Sequence, residues 1–127
     1  MARATFTKQE RLVSRKRIDM LFGGSRSVAA YPLRAVYINK EREGEGAAQL
    51  LISVPKKRFH HAVDRNRVKR QIREAYRKHK GLLYDALPAD KQLLLAFVWI
   101  SDTHRPSAEV EHSVVKLLQR IAEAQKK

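Results

Sequence analysis

The stretch Leu93–Ile100, LLLAFVWI, constrains the fold more than any other part of the chain. Its eight residues are all apolar, so it shows neither the alternation of a half-exposed strand nor the period of an amphipathic helix. A bilayer span takes about 20 residues, so this run is far too short for one. With its large side chains it reads as a central strand covered on both faces.

The rest of the chain supplies elements to cover it. Ser14 is an N-cap candidate, Ile18, Leu21 and Phe22 follow at helical spacing, and Gly23-Gly24 ends the pattern, which predicts a helix over 15–22. Thr7 and Glu10 carry the spacing of a capping box just before it. In YPLRAVYIN, Leu33, Ala35 and Tyr37 alternate with Arg34, Val36 and Ile38, a strand with one buried and one more open face. The charged turn KEREGEG (40–46) leads into AAQLLISV, and the two strands are expected to form a hairpin closed off by Pro55. A basic helix follows, expected to be capped by Asp64 and stopped by Gly81, with LLYDALPADKQ as a connection carrying Pro88. After the apolar strand, Ser107 is the expected N-cap of a last helix with the stripe Val110, Val114, Leu117, Leu118 and Ile121. The order of helix, strands, helix, strand and helix predicts an α+β sandwich, helices packed on a sheet. The 127 residues suit a single domain, with 1–13 and 123–127 expected to be flexible.

Charge narrows the function. The chain carries 27 Lys and Arg against 13 Asp and Glu, a formal +14. Residues 56–80 alone hold eleven bases against Asp64 and Glu74, which is +9 of that total. A concentrated positive field favours phosphate-bearing partners, nucleic acid or an anionic membrane surface. There is no cysteine, hence no disulfide or thiolate site, and the first residues lack an apolar run of the signal-peptide kind. A cytoplasmic RNA-binding protein with no membrane association is the expectation.

The segment Asp64–Arg77, DRNRVKRQIREAYR, packs five arginines and a lysine among regularly spaced apolar residues. Turning about 100° per residue puts Val68, Ile72, Ala75 and His79 on one face with Tyr76 at its border. Asn66, Arg70, Arg73 and Arg77 fall on the opposite face, with Lys69 beside them. Arg65 lies at the rim of the buried face, and Arg67 on the far flank with Glu74 and Lys78. Basic residues at i,i+4 spacing repel, so such a helix is stabilised by a polyanion. Arginine at most outward positions suits forked contacts to phosphate.

Other chemistry finds little support. The five histidines (60, 61, 79, 104 and 112) form no carboxylate-supported metal pattern, and the acids form no cluster able to hold two catalytic Mg2+ ions. Phe22, Tyr31, Tyr37 and Phe59 are the aromatics available to stack on single-stranded bases, whereas Trp99 belongs to the apolar strand. A ribosomal or other structural RNA-binding protein fits the charge as well, and a free-standing nuclease is disfavoured by the dispersed acids.

The run Ile52–Arg77, ISVPKKRFHHAVDRNRVKRQIREAYR, resembles the signature of the protein component of bacterial ribonuclease P. The matching residues are Ser53-Val54, Lys56-Lys57, Ala62-Val63 and Arg65 through Glu74. Weaker similarity extends to Leu21-Phe22, Pro32-Leu33, Ser113 and Leu117-Leu118. The resemblance implies an α-β-β-β-α-β-α two-layer sandwich with a left-handed crossover through the arginine helix. It implies a subunit that joins a catalytic RNA and assists hydrolytic removal of the 5′ leader of precursor tRNA. The Mg2+ would be bound chiefly by RNA, with no catalytic residue in this chain and no obligate protein partner. Carried over, Arg65, Asn66, Arg67, Lys69, Arg70 and Arg73 would face the RNA subunit or the leader; Lys56, Lys57, Arg58 and Arg77 join this RNA-binding set by their charge and position, with Arg65 nearest the leader cleft. Ile18, Phe22, Arg34, Val36 and Ser53 would line the leader cleft. Ile18 and Val36 are aliphatic where the family often has aromatics, Pro55 replaces a usual serine, and the RFHH loop is one residue longer and lacks a glycine.

Overall fold

The computed structural model describes residues 10–24, 26–41 and 47–125. In chain order the elements are α1 (Arg15–Gly23), β1 (Arg26–Ala30), β2 (Leu33–Glu41), β3 (Ala48–Ser53), α2 (Ala62–His79), α3 (Gly81–Tyr84), β4 (Lys91–Trp99) and α4 (Ser107–Gln125). The four strands form one sheet in the order β1-β2-β4-β3.

The apolar run occupies β4, at the centre of that sheet. β4 is antiparallel to β2 and parallel to β3. Leu93 through Phe97 are fully closed to solvent. On one face Leu95, Phe97 and Trp99 pack with Val68, Ile72 and Tyr76 of α2 and Val114, Leu117 and Ile121 of α4. On the other, Leu94 and Ala96 meet Val36, Leu21 of α1 and Leu12 in a smaller cluster. Each Val, Leu, Ile or Phe among them stabilises the fold by about 1.5–3 kcal/mol when fully buried. The main layers are therefore sheet and α2/α4, with α1 covering part of the remaining face.

The strands around 31–39 and 47–54 do not form the expected hairpin. β4 lies between them, because a strand apolar on both faces gains most when both its edges are also paired. The hairpin instead joins β1 to β2 through Tyr31-Pro32, whose peptide bond is cis. Residues 26–30 carry only Val28 and two alanines as apolar residues, a weak strand signal. A parallel β3–β4 pair needs a long crossover, which α2 and α3 supply.

Several boundaries also differ from expectation. α2 begins at Ala62 after His61, so Asp64 sits inside the first turn. It ends at Lys80, whose N–H donates to the Tyr76 carbonyl, and the chain continues into the single turn α3. At α4 the Pro106 carbonyl accepts from the Glu109 and Val110 N–H groups. Ser107 takes no N-cap role there; its hydroxyl accepts from the Gln71 amide at 3.1 Å. Ser14 does cap α1, accepting from the Arg17 N–H at 3.4 Å. The segment before α1, expected to be flexible, is fastened at Leu12, whose N–H donates to the Leu50 carbonyl at 2.9 Å. Glu10 is buried there, while Thr7, the other half of the expected capping box, lies outside the described residues. α4 continues to Gln125, so 123–125 are helical.

Candidate nucleic-acid interface

The helical period separates the two roles of α2 much as the sequence predicts. Val68, Ile72, Ala75 and Tyr76 are buried against the sheet and α4, so Tyr76 belongs fully to the core. His79 reaches α4, its Nε2 lying 2.8 Å from Glu111 Oε2. That contact holds the Glu111 carboxyl below the usual carboxylate range. Asn66, Arg67, Arg70 and Arg73 are exposed, and Lys69 is half-buried beside them. Among the described residues, none of these five side chains has a hydrogen-bond or ion-pair partner. Four like charges along one helix are left to repel one another at close spacing.

Arg77 behaves differently. Its Nε donates to Glu74 Oε2 at 3.0 Å, and a second nitrogen bonds the other carboxylate oxygen. This bond raises the Arg77 pKa and lowers that of Glu74. Arg77 is thus satisfied by its own helix, unlike Arg70 and Arg73. Arg65 is also engaged: one terminal nitrogen donates to the Phe59 carbonyl at 2.9 Å and the His60 carbonyl at 2.7 Å. It clips the preceding loop to the first turn of α2 through that one nitrogen.

That loop, residues 54–61, carries Lys56 and Lys57 on its exposed side. Arg58 turns inward to Asp102, Nη1 to Oδ1 at 2.9 Å. Phe59 stacks on His104, ring centres 4.5 Å apart, and so is engaged in packing. His104 Nε2 in turn lies 3.1 Å from Asp64 Oδ1. The loop after β4 therefore packs against both the 54–61 loop and the first turn of α2. Sequence reasoning missed it, because Asp102 and His104 carry no periodic or motif signal.

The predicted cleft residues lie on the sheet face opposite α2 and α4. Across that face Arg34 of β2 and Ser53 of β3 both stand opposite Val98 of β4, forming one transverse row. Arg34 is exposed and its Nε donates to Ser27 at 3.0 Å. The row sits at the end of the sheet where β3 runs into the 54–61 loop. Phe22 of α1 is 52% exposed, whereas Ile18 is partly packed beneath the helix. Val36 is only 4% exposed, shielded by Leu21 and Leu12, and does not face solvent. Of the other aromatics Tyr37 is core, and Tyr31 is exposed with the Arg105 guanidinium 5.1 Å from its ring centre.

Among the described residues no group of three or more His, Asp or Glu side chains is placed to hold a metal ion. No helix among them is long and apolar enough to cross a membrane.

A sequence profile of the family described as Ribonuclease P matches residues 6–122. The chain belongs to the ribonuclease P protein family. The ribonuclease P protein component of Porphyromonas gingivalis is 44% identical over 123 residues, covering 94% of this chain and 89% of that protein. That of Chlorobaculum tepidum is 41% identical over 81 residues, covering 55% of this chain and 53% of that protein. Two solved ribonuclease P proteins share the fold. The one from Thermotoga maritima has a TM-score of 0.69 at 24% identity, over 88% of this chain and 97% of that one. A Staphylococcus aureus mutant with defective mRNA degradation activity has a TM-score of 0.69 at 22% identity, over 91% and 90%. Ribonuclease P membership carries the role of a subunit in a tRNA-processing endoribonuclease, and does not favour the ribosomal alternative.

Proposed function

We propose that this subunit binds the catalytic RNA of ribonuclease P through the outer stripe of α2 and the 54–61 loop, and guides the 5′ leader of precursor tRNA past α1. The observation that carries this reading is the set Arg67, Lys69, Arg70 and Arg73, outward-facing bases with no acidic partner among the described residues. Their mutual repulsion is relieved when a phosphate backbone supplies the counter-charge, and each contact releases condensed counterions. Such contacts give affinity and orientation with no base readout, which suits a subunit serving many precursors.

The leader would cross the row of Arg34, Val98 and Ser53, with Phe22 of α1 as an exposed ring on the same face of the sheet. Arg34 meets the backbone and Phe22 stacks on a base, while the buried Val36 keeps α1 seated. The catalytic centre would lie in the RNA, whose bound Mg2+ would supply the charge stabilisation and activated water of phosphodiester hydrolysis. The chain's own side chains do the electrostatic part. They neutralise phosphates that repel when two RNAs meet, and so lower the Mg2+ the assembly requires.

The test is cleavage of precursor tRNA by the RNA subunit at limiting Mg2+, with and without this chain. The expected result is strong stimulation, fading as Mg2+ is raised. No stimulation would refute the proposal, and cleavage by the chain alone would place the catalytic centre in the protein.

A further inference from the structure

The acids nearest the basic loop raise a question that phosphate binding does not answer. Asp102 is 73% exposed on its side chain and stands beside the loop that carries Lys56 and Lys57. A carboxylate there repels an approaching polyanion, so it needs a compensating role. Its contacts supply one. Asp102 holds Arg58, and His104 holds Phe59 by stacking and Asp64 through Nε2. Both come from the short loop after β4, so one rigid strand end grips the basic loop and the first turn of α2 together. Arg65 closes the clasp from the helix side through the Phe59 and His60 carbonyls.

We infer that Asp102 and His104 are positioning residues for RNA binding, holding the 54–61 loop and its exposed lysines in their binding shape before RNA arrives. The inference rests on the reading that this loop and α2 meet RNA. Loop residues otherwise lose conformational freedom on binding, which weakens affinity. A loop already clasped avoids that loss. Neither Asp102 nor His104 needs to touch RNA for the effect, and the cost of one exposed acid is offset by the order it imposes.

The two explanations of Asp102 predict opposite signs. If charge alone mattered, Asp102→Asn would tighten binding by removing a negative group and freeing Arg58. The clasp predicts looser binding, by about threefold for one partly exposed ion pair. His104→Ala removes both the stack and the Asp64 bond and should weaken binding about fivefold to tenfold. His104→Phe, which keeps the stack, should recover part of that loss. The measurement is the dissociation constant of the full chain with the RNA subunit over a salt series, with thermal melting of each variant alongside. The salt slopes should equal the wild-type slope, since no phosphate contact is lost. Unchanged or tighter binding by Asp102→Asn, or wild-type affinity for a folded His104→Ala, would overturn the inference and leave the α2 reading intact. An Arg70→Ala variant in the same series reports on that reading separately, through its slope.

Discussion

Glu10 and Lys80, seventy positions apart, meet at 2.6 Å with their side chains almost closed to solvent. The Tyr84 hydroxyl donates to the same Glu10 oxygen at 2.5 Å. This contact pins the segment before α1 to the joint between α2 and α3, just beyond the basic stripe. Removing one partner of a buried pair leaves the other charge uncompensated, so Glu10→Gln should destabilise the fold by about 3 kcal/mol. Urea unfolding measures it. The exposed pair Lys91–Glu41 is the control, and Glu41→Gln should change stability by less than about 1 kcal/mol.

The same joint predicts a pH dependence. Burial pushes the Tyr76 and Tyr84 hydroxyls well above the usual tyrosine range. In the unfolded chain they ionise near pH 10, whereas in the fold they stay neutral beyond it. Their contribution is therefore intact below about pH 10 and is lost as pH rises further. Urea midpoints followed from pH 8 to 11 should hold steady and then fall. Tyr84→Phe should make that alkaline decline shallower.

Phe22 offers a local test of the leader path. Its ring is half-exposed while the neighbouring Leu21 carries the packing of α1, so Phe22→Ala should leave thermal stability nearly unchanged. Losing one stacked base costs about 1–3 kcal/mol. The holoenzyme should thus bind precursor tRNA more weakly while its affinity for leaderless tRNA stays the same. An equal loss for both would place Phe22 outside the leader path.

Much of this was legible in the sequence, for identifiable reasons. The run in β4 announced a doubly covered strand, and the period of α2 separated Val68 and Ile72 from Arg70 and Arg73. What failed were relations between distant segments. Nothing local tells Ala48–Ser53 to pair in parallel with β4 instead of folding back on β2, since both arrangements satisfy the same alternation. The engagement of Arg65 and Arg77 was equally hidden. A rotation angle shows which way a side chain leaves the helix, but not that a loop carbonyl or Glu74 is waiting there. Asp102 and His104 lie in a loop whose composition reads as simple turn, and their role emerges only where β4 ends beside the 54–61 loop.

If α2 offers Arg70 and Arg73 to RNA phosphates, each contact shows in the salt dependence of binding to the RNA subunit. Plotting log K against log salt at fixed Mg2+, Arg70→Ala and Arg73→Ala should each reduce the slope by about 1. Arg77→Ala, which loses a side chain already held by Glu74, should leave the slope close to wild type. Unchanged slopes for Arg70→Ala and Arg73→Ala would contradict the account, reducing the stripe to a solvated helix face.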